Sequence, residues 1–489
     1  MDIDLSPHCT PSYRLLTEAQ INAIHRATLE ILETVGVRLF HRSARQMLES
    51  AGCRLKSDNI VQIPGRLVED CIDSAPSRIT IYDRTGREAM QLAGRRVYFG
   101  LGTDLLNTWD LTSGELKPSG LQDVVNAAIV GDYCQQIDFI ASGAFPNEVS
   151  KNLAFIAEFR ALAEHSVKPI YFTAAAHQDL RVILEMAEVI AGGRERLQQK
   201  PFLIHYAEPV SPLVHSEGAV AKLLLCADRQ IPLNYSPAIL SGGTGPVSLA
   251  GAIATANAEA LSGLVIHQLR RRGAPMISGF SVTPLDLRVG TSVYGSPDEK
   301  LTHSACCDLY HHYGLPVWGE AGCSDSKCVD EQAALESAFS ILTAAQDGCN
   351  LVHDIGYLGQ GLIGSPAMIV MCDEMISYVR RIMRGFDMGP ERMGIDVIRR
   401  VGPGGNFLAE DETLNFMREE HWIPKTINRD NPEIWQQKGA PRYADAIIQK
   451  TLDILAGHRP EPLPEPVSKA LDNIYQHAGR QLQNLSLST

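Results

Sequence analysis

Nine residues carry side chains suited to chemistry, and they share one kind of position. Each falls at or just past the end of a short apolar run: Asp104, Tyr206, Glu208, Asn234, Phe280, Trp318, Glu320, His353 and Tyr357. Three are carboxylates and four are aromatic. The electron-rich faces of aromatic rings attract a cation, and nearby acids offset its charge. The set predicts a site for a cationic ligand, above all a quaternary ammonium, which has no N–H to donate. The bland alternative is that Tyr206, Phe280 and Trp318 simply fill the interior of a barrel.

Such a site exists only if the runs end on one rim. The stretch 350–357, Asn-Leu-Val-His-Asp-Ile-Gly-Tyr, shows the pattern best. A short apolar run between helical segments suits a parallel strand covered on both faces. His353, Asp354 and Tyr357 then lie at its carboxyl end, where open α/β sheets and barrels place their chemistry.

The rest of the chain repeats this beat. Short apolar runs at 97–101, 139–141, 170–172, 202–204, 232–235, 276–278, 316–318 and 350–353 alternate with helical patterns at 123–130, 153–163, 180–191, 218–227, 249–269, 297–313 and 333–345. A further helix at 368–381 closes the series. Strict alternation predicts a parallel sheet, and eight units predict an α/β fold of the (β/α)8 TIM barrel type. A doubly wound open sheet is the alternative, and the first βα turn lacks the GxGxxG pattern that would favour it. Residues 1–95 read as an N-terminal α+β cap. They hold a helix over 16–35 with Thr17 and Gln20 as a capping box, a second helix over 43–51, and short strands at 61–63 and 79–82. Residues 96–384 are the barrel. Residues 385–489 form a mostly helical extension, with helices at 443–455 and 467–482 around a Pro-rich spacer.

Bulk properties narrow the function. The 489 residues carry a net charge of −13 and no basic stripe, which argues against a nucleic-acid partner. The apolar share of 45% allows a large core. No uninterrupted apolar run is long enough for a membrane span. Eleven scattered cysteines and an N-terminus, MDIDLSPHCTPSY, without a basic or apolar leader region predict reduced thiols and a cytoplasmic protein.

Three further patterns bear on chemistry. Ser241-Gly-Gly-Thr-Gly-Pro246 precedes the Ala-rich helix. Its small residues would let a large ligand approach the backbone, with the helix N-terminus supplying donors; a tight turn is the plainer reading. His303, Cys306, Cys307, His311 and His312 crowd one helix, but only His303/Cys307 and Cys307/His311 stand four apart, and neither CxxC nor HExxH occurs. Buried thiols on a helix are the better reading, and no metal site is expected. No Gly-x-Ser-x-Gly elbow is present.

The chain resembles the trimethylamine methyltransferase family in its non-pyrrolysine branch, over nearly its whole length. The stretches that carry the resemblance are 242–251 (GGTGPVSLAG), 324–332 (SDSKCVDEQ), 353–357 (HDIGY) and 402–408 (GPGGNFL), the last continuing to Trp422. The resemblance implies a TIM barrel, and a methyltransferase that moves a methyl group from a methylated amine to the Co(I) of a corrinoid (cobalamin) on a separate small protein. No pyrrolysine occurs, and 323–327 is where its counterpart would stand, so a quaternary amine such as glycine betaine is expected rather than trimethylamine. On this reading Trp318, Phe280 and Tyr206 cage the ammonium and Glu208 or Glu320 offsets its charge. His353, then Tyr357, would anchor a betaine carboxylate. Gly242, Gly243, Thr244 and Gly245 would approach the corrinoid. A homo-oligomer is plausible from the exposed helices of a large barrel. A betaine-binding sensor and a demethylase of another amine are the alternatives.

Overall fold

The protein is described by a computed structural model covering residues 8–486. The N-terminal residues 1–7, part of the stretch read for a leader, lie outside the described residues. Seven parallel strands form one sheet: β1 (Tyr98–Leu101), β2 (Ile170–Phe172), β3 (Leu203–Ala207), β4 (Leu233–Tyr235), β5 (Met276–Gly279), β6 (Val317–Glu320) and β7 (Leu351–Ile355). Neighbours run β2-β3-β4-β5-β6-β7-β1.

The run expected as a further strand, 139–141, is reduced to single parallel bridges. Phe139 pairs with Gly100 of β1, and Ile140 with Ile170 of β2. Both edge strands of the sheet are therefore tied to this segment. It stays short because Ser142 is followed by Gly143, which turns the chain at φ +60°. The Phe139 ring lies against β1 at Gly100, where a Cβ would come within 2.3 Å of it.

Eight helices alternate with these segments: α1 (Leu121–Tyr133), α2 (Ala154–His165), α3 (His177–Ala191), α4 (Glu217–Arg229), α5 (Leu249–Arg270), α6 (Pro297–Tyr313), α7 (Glu331–Asp347) and α8 (Pro366–Arg384). Local chemistry fixes their ends. Ser296, Asp330 and Ser365 each accept a backbone N–H at the start of α6, α7 and α8, and Gly314 and Gly348 close α6 and α7 in the left-handed conformation.

Helix α5 is the one of the eight that is long and apolar enough to cross a membrane, yet 83% of its apolar window is buried inside the protein. Its apolar residues run right round the helix because it is covered on all sides. The N-terminal helices Glu18–Glu30 and Gly65–Ser74 pack on it together with α4. Thr17 and Gln20 do form the capping box of Glu18–Glu30. At the other end of the chain, Tyr443–Gly457 packs on α1 and α8, and Glu465–Ser486 packs on α3.

Candidate functional site

The strand ends in the set gather along the carboxyl edge of the parallel sheet, the mouth of the fold, but the side chains are not equivalent. The centre is His353, buried at 3% exposure. Tyr171, Tyr206, Trp318 and Tyr357 stand round it, with ring centroids 4.7, 5.9, 6.1 and 6.0 Å from the imidazole. Tyr206 stacks between Tyr171 at 5.4 Å and Trp318 at 6.0 Å. One wall of the mouth is thus a continuous aromatic surface supplied by β2, β3 and β6.

Backbone irregularity brings a further acid into this surface. Successive strand residues normally point to opposite faces. The pairing of β7 with β1 shifts register between Val352 and Ile355, and Asp354 sits at φ +81°. The kink leaves His353 Nδ1 and Asp354 Oδ1 2.5 Å apart. Non-glycine residues rarely adopt this backbone region, and such strain clusters at functional sites.

The acids crowd each other. Glu320 accepts a hydrogen bond from Ser281 Oγ at 2.6 Å. Burial first, then Asp354 and Glu299, push its carboxyl well up, so it tends to keep a proton. Asp104 accepts from Thr173 Oγ1 at 3.0 Å and is raised by burial. Behind it Glu158, 4% exposed, is raised well above the usual range by burial and then by Asp104. Glu208 stands at the rim; it accepts from the Tyr206 hydroxyl at 3.0 Å, and crowding by protein raises it as well. Two half-buried lysines nearby are already engaged: Lys222 donates to Ala174 O and Lys300 to Tyr294 O.

Several polar atoms are left without partners. His353 Nε2, Trp318 Nε1 and Glu158 Oε1 are buried and make no hydrogen bond, while His353 Nδ1 and Asp354 Oδ1 have only each other. Buried polar groups are nearly always paired, and each one left alone costs about 1–3 kcal/mol. A group of them around one aromatic wall marks a place built for a ligand.

The other residues expected at the site take supporting roles. Asn234 donates to the Tyr171 hydroxyl at 2.6 Å and so orients that ring. The Tyr357 hydroxyl donates to Thr103 O at 2.6 Å and accepts from Thr103 N at 2.8 Å. Its one proton is committed, so Tyr357 is a wall and does not donate to a carboxylate. Phe280 is turned into the core, where its ring meets Tyr310 of α6 and its N–H donates to Cys306 Sγ. The loop Gly242–Gly245 is also less open than its composition suggests. Gly243, Thr244 and Gly245 all donate their N–H groups to Leu240 O, and Gly242 N donates to Gly245 O. It is a closed turn that offers no free amide. Next to it the exposed side chain of Val247 (76%) and, on the neighbouring hairpin, those of Leu287 (75%) and Val289 (68%) form an apolar rim.

Tyr171, Glu158 and Tyr294 are the residues not picked out by strand-end position; the sequence places Asp354 at its strand's carboxyl end but not among the nine site residues. Tyr294 packs beside Tyr357 and Cys323, held by Asp325, which accepts from Tyr294 N and Gly295 N at 3.0 and 3.1 Å. This gives the 324–332 stretch a physical task at the mouth.

The chain matches the trimethylamine methyltransferase (MTTB) family over residues 4–481. It belongs to that family. It is 30% identical to the trimethylamine methyltransferase MttB of Desulfitobacterium hafniense, over 94% of this chain and 93% of the relative. It is 27% identical to a glycine betaine methyltransferase of the same species, over 96% of this chain and 98% of the relative. Among solved structures it is similar in fold to the monomethylamine methyltransferase MtmB of Methanosarcina barkeri. The TM-score is 0.53, at 11% identity, over 97% of this chain and 89% of that one.

Proposed function

We propose that the protein is a methyltransferase that takes a methyl group from a quaternary amine of the betaine class and passes it to a corrinoid carried by a partner protein. The observation that carries this reading is the aromatic wall of Tyr171, Tyr206 and Trp318 around His353, with Glu320, Asp354 and Asp104 beside it. Family membership and the betaine-acting relative support it. So does a sequence in which no pyrrolysine occurs.

Each part has a task. The rings hold the ammonium by cation–π attraction and exclude water from it. Glu320 and Asp354 neutralise its charge. One unpartnered His353 nitrogen, when it carries the proton, can donate to the substrate carboxylate. A quaternary nitrogen leaves as a neutral tertiary amine, so no side chain has to protonate it, and none of the acids needs to act as a general acid. What the residues supply is orientation of one N–CH3 bond toward the open mouth. A corrinoid docked there supplies the Co(I) that accepts the methyl group. The residues at the mouth fit such a partner: the Val247, Leu287 and Val289 rim offers apolar surface, and the closed Gly242–Gly245 turn has little side-chain bulk to block approach. We read the parallel sheet, with Phe139 and Ile140 bridging its edges, as a closed (β/α)8 barrel between a cap (1–95) and a C-terminal extension (385–489).

The test is anaerobic. The protein is mixed with chemically reduced cobalamin and, separately, with glycine betaine, proline betaine, carnitine, γ-butyrobetaine, choline or trimethylamine. Loss of the Co(I) absorption with one quaternary amine supports the proposal. Turnover of trimethylamine alone refutes the quaternary assignment. Binding of betaine with no turnover, even when a corrinoid protein is supplied, would favour a sensor on this barrel.

A further inference from the structure

Helix α6 and the foot of β7 meet at three soft donors. His303 and Cys307 lie one turn apart on α6, and Cys349 lies two residues before β7. The spacing on one helix offered only pairs, His303/Cys307 and Cys307/His311; the fold adds a third donor to the first pair from a distant part of the chain. One ligand atom from each lies within 4.8 Å of the others. All three residues are buried, at 5%, 0% and 0% exposure.

The imidazole is posed as a ligand. Its Nε2 is buried and has no hydrogen-bond partner. That nitrogen faces the β6 backbone at Gly319, where a Cβ would stand 1.8 Å from it and 3.0 Å from Cys349 Sγ. Only glycine leaves room for the ring there. Its other nitrogen, Nδ1, is 3.5 Å from Asp347 Oδ2, and Ser304 Oγ donates to the same oxygen at 2.8 Å. A carboxylate behind the far nitrogen is the usual support of a metal-bound histidine, because it fixes the ring and its tautomer.

We propose that His303, Cys307 and Cys349 bind a thiophilic d10 cation, Zn2+ or Cu+, that pins α6 to the root of the strand carrying His353 and Asp354. Zinc–sulfur and zinc–nitrogen bonds of about 2.3 and 2.0 Å put such donors about 3.5–3.8 Å apart. The cluster therefore has to close by at most about 1.3 Å between any two donors. Two thiolates and an imidazole make up the full donor set of trigonal Cu+. Zn2+ needs a fourth donor, and the Val317 carbonyl, 3.7 Å from Cys349 Sγ, is at hand. The ion sits below the mouth and does not touch the substrate, so its role is positioning.

The test uses full-length protein purified anaerobically. Metal is counted by mass spectrometry, and the stripped protein is titrated with Zn2+ and with Cu+ against competing chelators. Co2+ is added as a spectroscopic probe. The proposal expects about one equivalent of one of the two ions, a near-ultraviolet thiolate-to-Co2+ band, and at least a tenfold loss of affinity in Cys307→Ser and Cys349→Ser. Binding of neither ion, or unchanged affinity in both variants, overturns it. If the variants do not fold, the Co2+ spectrum of the unaltered protein decides, and a spectrum without thiolate bands overturns it.

Discussion

Replacing Glu320 with Gln tests the charge logic of the site with little change of shape. Gln can still accept the Ser281 hydrogen bond, now 2.6 Å long. A carboxylate about 5 Å from a fixed positive charge contributes about 3 kcal/mol at an effective dielectric constant of about 20. That is about a hundredfold in affinity. Proton linkage adds a second signature. Burial, Asp354 and Glu299 hold the Glu320 carboxyl well above its usual range. A bound cation favours the ionised form, so below that raised value binding expels a proton. Affinity therefore rises with pH, by up to about tenfold per unit, and levels off above it. Calorimetry with tetramethylammonium from pH 6 to 9, in buffers of different ionisation enthalpy, reads both affinity and proton release. Glu320→Gln should bind about a hundredfold more weakly at the high-pH plateau and show a flattened pH slope. Equal affinity and an unchanged slope would refute the reasoning.

Other predictions follow from single contacts. Gly102→Ala places a Cβ 1.8 Å from Tyr357 Cε1, and the Thr103 hydrogen bonds keep that ring from moving away. We expect a loss of about 1–3 kcal/mol by denaturant titration, with weakened ligand binding. His353→Ala should reduce affinity for glycine betaine far more than for choline in the same calorimeter; equal losses would remove His353 as the carboxylate anchor. Glu259, which accepts from Ser211 Oγ and Leu213 N, is raised to about 7 by burial. The folded state then holds a proton that the unfolded state releases, so this group's contribution makes stability fall as pH rises from about 4.5 to about 7 and then level off. Thermal denaturation of Glu259→Gln should show that decline reduced.

The alternation of runs and helices was legible because the strands are buried on both faces and several helices carry their own caps, Ser216, Ser296, Asp330 and Ser365 among them. The expected helix over 297–313 coincides with α6, and the run at 170–172 with β2. The mouth was legible at Trp318, Glu320, Tyr206 and His353 for the same reason: a strand end in this architecture has one place to go. Position alone could not show which way a side chain turns. Phe280 ends a run like the others, yet it packs against α6. Asp354 should face away from His353 by strand parity, and only the register shift and its positive φ bring it beside the imidazole. Tyr171 sits mid-run, where a core role is the natural reading, until Asn234 is seen holding its hydroxyl. The Gly242–Gly245 turn looked like a donor-rich cradle because composition does not reveal that Leu240 O already takes three of its amides.

The central claim is that the aromatic wall recognises a quaternary ammonium by its charge. The most direct measurement compares glycine betaine with 3,3-dimethylbutanoate, which has the same shape with carbon in place of the cationic nitrogen. Both are titrated by calorimetry at pH 8. The account predicts that betaine binds and that the carbon isostere binds at least about a hundredfold more weakly, since it loses the cation–π and carboxylate attractions together. Equal binding of the two would show that the pocket selects shape alone, and would contradict the account.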